Sequence, residues 1–151
     1  MAYQDILQTR NFIGGVWMSS ENKMAVYDKY SQDLISEIYL ADQTQIDVAI
    51  QSALAISKVF RKFSMERRIG IMEKLYEQLQ IQAEAFAQLI ASEGGKPISY
   101  ARSEVSRALD NLKTGIREAY LFAGEQIPMD YLNGKNKTAY TIWQPLGIVL
   151  G

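Results

Sequence analysis

The spacing of apolar residues changes twice along this chain and divides it into three parts. From residue 11 to 40, short apolar and β-branched runs alternate with turn residues. Phe12-Ile13 and Val16-Trp17 flank Gly14-Gly15, which predicts two short strands joined by a tight turn. Met24–Asp28 and Leu34–Tyr39 predict a second strand pair across Tyr30-Ser31-Gln32-Asp33. From residue 44 the spacing becomes helical. Ile46, Ala49, Ile50, Ala53 and Ile56 step by three and four towards Val59 or Phe60. Thr44 is the expected N-cap, with Asp47 favourably placed at the positive end of the helix dipole.

Ser64 is positioned to cap a second helix, lined on one side by Ile69, Met72, Leu75, Tyr76 and Leu79. The phase blurs at Gln80–Gln82, which predicts a kink or break, and Ala83, Phe86, Ala87 and Ile90 resume the stripe as far as Ser92. Gly94-Gly95 stops that helix, because glycine reaches the left-handed conformation of a C-terminal cap at little steric cost. Pro97 suits the first turn of the next helix. Val105, Leu109, Leu112, Ile116, Ala119 and Tyr120 then form one stripe, which Gly124 and Pro128 are expected to end. By these signals the Gly-Gly-Lys-Pro segment is a structural joint between helices.

The third part returns to strand and turn. Asn133-Gly134 is a turn signal. Thr138–Trp143 is rich in β-branched and aromatic residues and predicts a strand. Pro145 interrupts it, and Leu146–Leu150 reads as the start of a buried sheet strand, which requires neighbours at its edges and layers on its faces.

Composition narrows the chemistry. The chain has 151 residues, no cysteine and no histidine. Disulfides, thiol nucleophiles, Cys/His zinc sites and histidine acid–base devices are therefore excluded from it. A net charge of −1 gives no overall attraction to nucleic acid or to an anionic membrane. No apolar run reaches a membrane span and no apolar signal core opens the chain, so a cytoplasmic protein is expected. Without a secretory signal, the Asn136-Lys137-Thr138 sequon has no glycosylation role. Lys58, Arg61, Lys62, Arg67 and Arg68 cluster at a helix connection and read as solvated surface. Glu73 and Glu77 share a helix face, the spacing of a metal-bridging pair, but also that of an ordinary solvated face. No G-x-G-x-x-G or Walker loop is present, so motifs and periodicity alone assign no activity.

The order of short motifs resembles the N-terminal part of the aldehyde dehydrogenase superfamily. The resemblance rests on Phe12-Ile13-Gly14-Gly15-Val16-Trp17, Glu66-Arg67-Arg68, Glu93–Pro97, Glu104-Val105-x-Arg107-Ala108, Ala123-Gly124-Glu125-x-Ile127-Pro128 and Pro145–Val149. The family's Asn-Pro-x-Thr-Gly turn reads Asp28-Lys29-Tyr30-Ser31-Gln32 here, a clear departure. The resemblance implies an α/β fold: the first part of a Rossmann-type cofactor domain over residues 1–130, with strands at 11–40 and helices at 44–124. It further implies an oligomerisation-arm strand within 131–145, near Thr138–Gln144, and a truncated sheet strand at 146–151.

It also implies that the complete enzyme oxidises a small-molecule aldehyde to a carboxylic acid through a cysteine thioester, using NAD or NADP, as a homo-oligomer. The family's catalytic and cofactor-binding residues lie beyond Gly151, so this chain alone is expected to hold no cofactor and to be inactive. The alternative is a non-catalytic helical interaction module built on the same scaffold. Two implied positions fall within the chain. Arg107 matches a helix position that faces the substrate entrance in members acting on phosphorylated or carboxylated aldehydes; a surface pair with Glu104 is the competing reading. Glu93 and the backbone near Tyr27 match a monovalent-cation site of some relatives, which needs further ligands from beyond Gly151. Helices deprived of the sheet they cover should leave apolar surface exposed and promote self-association.

Overall fold

The computed structural model describes residues 3–130, 133–134 and 136–150. Expectations that fall on Tyr131, Leu132, Lys135 and Gly151 lie outside the described residues. A 3-10 turn at Tyr3–Ile6 precedes the first predicted element and rests against the third helix. Strands β1 (Asn11–Ile13) and β2 (Val16–Met18) form the expected hairpin. Its turn needs glycine at both positions, with φ of 59° at Gly14 and 89° at Gly15. Strands β3 (Lys23–Tyr27) and β4 (Leu34–Tyr39) form a second antiparallel pair with an irregularity between Val26 and Tyr27.

Four helices follow: α1 (Gln43–Phe60), α2 (Met65–Ile81), α3 (Ala83–Gly94) and α4 (Ile98–Tyr120). Helix α1 begins before the expected Thr44 cap. The Asp42 carboxylate accepts the Gln45 N–H at 2.8 Å, and so starts the helix at Gln43. Ser64 caps α2 as expected, its Oγ accepting from the Arg67 N–H at 3.2 Å. The blurred phase at Gln80–Gln82 is a real break, with Gln82 the single residue between α2 and α3. Gly95 ends α3 in the left-handed region at φ 63°. Pro97 stands one place before its expected position, as the N-cap of α4 with an extended ψ of 138°.

Helix α4 stops at Tyr120, short of Gly124. Gly124 serves a different contact. A Cβ there would collide with the Thr141 carbonyl oxygen, so the glycine lets the returning chain cross the helix exit. That crossing is held by two short strands, β5 (Gln126–Ile127) and β6 (Ala139–Tyr140). The Thr141 N–H donates to the Glu125 carbonyl at 2.8 Å, and the Glu125 N–H donates back to Thr141 Oγ1 at the same distance. Trp143 stacks on Phe122 at 4.8 Å between ring centroids and donates its indole N–H to the Ala123 carbonyl at 3.1 Å.

The strand expected over Thr138–Trp143 thus shrinks to two residues. The buried strand expected at Leu146–Leu150 does not form: Leu146 is 92% and Leu150 98% exposed, and among the described residues no strand lies beside them to accept the ladder. Local β-propensity cannot make a strand without a partner.

The core is small and sits where α3 crosses α4. Ala87, Ala101 and Val105 are buried there, with Phe86, Ile90 and Leu109 packed around them. Alanines at the crossing let the two helices approach closely. Helix α2 packs on the C-terminal half of α4, whereas the principal contact of α1 is β1. Gln45 is buried in that contact: its side chain accepts from Asn11 Nδ2 at 3.0 Å and donates to the Ser19 carbonyl at 2.7 Å.

Candidate functional site

Two neighbouring features collect the candidate residues. The first is the joint between α3 and α4, where the β3–β4 turn docks. The Asp28 carboxylate accepts the N–H groups of Tyr30 at 2.8 Å and Ser31 at 2.9 Å, folding the turn back on itself. These bonds, led by that from Ser31, hold the Asp28 carboxyl below the usual aspartate range. The turn is pinned to the joint by the Lys29 N–H, which donates to the Ser92 carbonyl at 3.1 Å. Tyr27 and Glu93, the two residues implied for a cation, therefore lie on segments that the fold brings together. Both are exposed at their side chains.

The second feature is the first half of α4. Lys96 donates to Glu104 at 2.7 Å, and this hydrogen bond holds the Glu104 carboxyl below its ordinary value. The Arg107–Glu104 pair weighed from sequence is replaced by this one. Arg107 instead donates to Ser103 Oγ at 3.4 Å, and its side chain is exposed. Arg107 still acts on Glu104 through its charge, helping to lower that carboxyl, without a hydrogen bond between them. One turn earlier, Arg102 grips Glu84 of α3 through two hydrogen bonds of 3.0 and 2.8 Å. That hydrogen bonding lowers Glu84 and raises Arg102. Sequence spacing missed the Lys96–Glu104 and Glu84–Arg102 pairs because both cross a helix boundary, where the three- and four-residue rule gives no signal.

The remaining candidates resolve into structural roles. Arg68 reaches back from α2 to the carbonyls of Phe60, at the end of α1, and Phe63, in the connection, at 2.8 and 3.3 Å. Arg67 lies 3.6 Å over the Phe63 ring. The basic cluster read as solvated surface is thus partly the clasp of the α1–α2 connection. Glu73 and Glu77 are exposed on α2 and, among the described residues, join no group of three or more potential metal ligands.

A groove of about 470 Å³ runs between α2 and α4, lined by Phe60, Ile69, Met72 and Ala119 with Arg68 and Glu118 at its margin. Its lining is mostly apolar. A smaller cavity of about 170 Å³ lies beside the Glu84–Arg102 pair, whose charges are already spent on each other.

Comparison with known proteins gives this geometry its context. The sequence model described as "Aldehyde dehydrogenase family" matches residues 17–151. A 3-sulfolactaldehyde dehydrogenase of Priestia aryabhattai is 33% identical over 91% of this chain and 29% of its own length. A lactaldehyde dehydrogenase of Methanococcus maripaludis is 32% identical over 91% of this chain and 28% of its own. Among solved structures, aldehyde dehydrogenase 21 from Physcomitrella patens, in complex with the reaction product succinate, superposes with a TM-score of 0.77 at 28% identity. That match covers 84% of this chain and 27% of that one. The chain spans less than a third of the length of the curated relatives it matches.

Proposed function

This chain belongs to the aldehyde dehydrogenase family, and from that premise we propose that it forms the N-terminal scaffold of an NAD(P)-dependent aldehyde dehydrogenase. The observation that carries the reading is a family match over residues 17–151, on a chain that fills under a third of its relatives. The complete enzyme oxidises an aldehyde to a carboxylic acid through a cysteine thioester. NAD or NADP, when bound to the whole enzyme, accepts the hydride. None of these 151 residues is a cysteine, so the nucleophile comes from elsewhere in such an enzyme. The part of this chain is to position: the hairpins and four helices hold the joint and the α4 face at the edge of the site.

Arg107 is the substrate-facing residue in this proposal. The relative named for sulfolactaldehyde and the neighbour holding succinate both deal with an anionic group, and an exposed guanidinium that hydrogen-bonds no carboxylate among the described residues suits such a substrate. Glu93 and the Tyr27 carbonyl are proposed ligands of a monovalent cation, completed by residues outside 1–151. The segment near Thr138–Gln144, where Tyr140 and Ile142 are exposed, is the proposed arm through which complete enzymes pair. Among the described residues no helix is long and apolar enough to cross a membrane, and the cytoplasm is the proposed place of work.

The test uses the chain alone and grafted. Purified, it is expected to give no aldehyde-dependent NAD(P)H. Substituted for the matched segment of the Priestia relative, it is expected to restore turnover. A folded graft without turnover, or turnover by the chain alone, overturns the proposal.

A further inference from the structure

Glu104 has two cations that could claim it. Lys96, in the joint before α4, donates to its Oε2 at 2.7 Å. Arg107 stands three residues further along α4, a spacing at which a carboxylate and a guanidinium on one helix can pair. The Lys96 hydrogen bond, and then the Lys96 charge, do most to lower the Glu104 carboxyl, and the Arg107 charge adds to them. Yet Arg107 forms no ion pair among the described residues. Its contact with Ser103 Oγ, at 3.4 Å, is longer than an ordinary hydrogen bond. Lys96 holds the carboxylate and Arg107 does not.

The joint is built to deliver Lys96 to that place. Gly94 is the last residue of α3 and, unlike Gly95, does not stand in the left-handed region. Space accounts for it instead. A Cβ at 94 would lie 3.1 Å from Lys96 Cε and 3.8 Å from Lys96 Cγ. The lysine stem folds over the helix end through a gap that a side chain at 94 would crowd. Pro97 follows with φ −55° and ψ 138°, and turns the chain into α4 directly after the lysine.

We propose that Lys96 is a positioning residue: by occupying Glu104 it keeps Arg107 open, and so sets the preference of the complete enzyme for anionic over neutral aldehydes. Without Lys96, Glu104 turns to Arg107. An incoming anion then meets a guanidinium already paired, with a carboxylate beside it. The proposal rests on the substrate-facing role of Arg107 given above and adds the residue that maintains it. Lys96 and Glu104 keep 38% and 45% of their side-chain surface exposed, so replacing either opens no core.

The test compares 3-sulfolactaldehyde with lactaldehyde, the same hydroxyaldehyde without the sulfonate, on the graft in the Priestia relative. Lys96→Gln is expected to raise KM for the sulfonated substrate by about threefold, the worth of one exposed ion pair. Its kcat, and KM for lactaldehyde, should stay within about twofold, and Lys96→Arg should restore the sulfonate KM. In a Glu104→Gln background, Lys96→Gln should cost nothing, because no carboxylate is left to turn. The same penalty in that background means that the lysine attracts the anion by its own charge, and ends the proposal. So does an equal loss on both substrates, or no loss while Arg107→Leu raises the sulfonate KM. An Arg107→Leu graft with an unchanged sulfonate KM ends instead the substrate role of Arg107. The hand-over itself is read by nuclear magnetic resonance in the 151-residue chain, with or without an active graft. On Lys96→Gln the Arg107 Nε proton should exchange with water about twofold more slowly or more, and adding Glu104→Gln should return it to its former rate. An exchange rate unmoved by Lys96→Gln overturns the hand-over.

Discussion

Gln32 occupies a conformation that its side chain resists. Its φ is 65°, in the left-handed region where a Cβ crowds the backbone, at the place where the family turn carries glycine. The Asp28 carboxylate compensates by accepting the N–H groups of Tyr30 and Ser31. Gln32→Gly should therefore stabilise the chain by about 0.5 kcal/mol, after the entropy glycine adds to the unfolded state. Urea titration followed by circular dichroism checks the sign. Arg107 poses a functional question at the same scale. In the grafted enzyme, Arg107→Leu should raise KM for a sulfonated or carboxylated aldehyde by about tenfold or more, the worth of one charge-assisted hydrogen-bonded contact. For a neutral aldehyde KM should stay within about twofold, and steady-state kinetics on the two substrates separates a binding role from a general loss of activity. At this scale the sequence was legible where one residue carries its own geometry, as with the Ser64 cap and Gly95. It was not legible at Asp42 and Thr44, two good caps two residues apart, where choosing between them depends on where Gln45 must sit to reach Asn11 and Ser19.

Elements were readable in proportion to how much of their partner lies nearby in sequence. The stripe of α4 was visible from Val105 onward, but its most buried residue, Ala101, was missed because alanine marks no face until a second helix presses on it. The β5–β6 hairpin was invisible in part because Gln126-Ile127 is too short to show a period. Its formation depends on Gly124, a residue read as a helix stop. Gly124→Ala should push Thr141 away, break the paired Thr141–Glu125 bonds and unstack Trp143 from Phe122. In a Trp17→Phe background, Trp143 emission is expected to shift to the red on this substitution. Far-ultraviolet dichroism should hold nearly constant, since α1 to α4 end before the contact. A loss of helix signal would mean that the tail supports the bundle rather than merely lying on it.

For the molecule as a whole, the buried set is Ile13, Ile69, Ala85, Ala87, Ala101 and Val105, with Gln45 the buried polar residue, among those described. So small an interior makes the polar links between elements matter more than they would in a full domain, although each is exposed and individually weak. Lys96–Glu104 and Glu84–Arg102 join α3 and the joint to α4, and the Asp28 turn joins the strands to the same joint through Lys29. All three carboxyls have folded pKa values below their unfolded ones. Above the unfolded values, near 4, the folded state binds fewer protons than the unfolded chain and gains the full contribution. As pH falls through the lowered folded values that contribution disappears. Lys23 runs the other way: its hydrogen bond to Glu37 raises its pKa, so its contribution is present below about 10.5 and is lost as pH rises through the folded value. Stability should therefore be flat from about pH 5 to 10 and fall below about pH 4, more steeply at low salt, where exposed pairs are least screened. Glu84→Gln with Glu104→Gln should lower the plateau and flatten the acid limb, as urea midpoints at pH 7 and pH 3.5 would record. An acid limb unchanged by the double substitution would leave helix packing alone to hold α3 on α4, and the alanine crossing would then be the sole reason this open assembly keeps its shape.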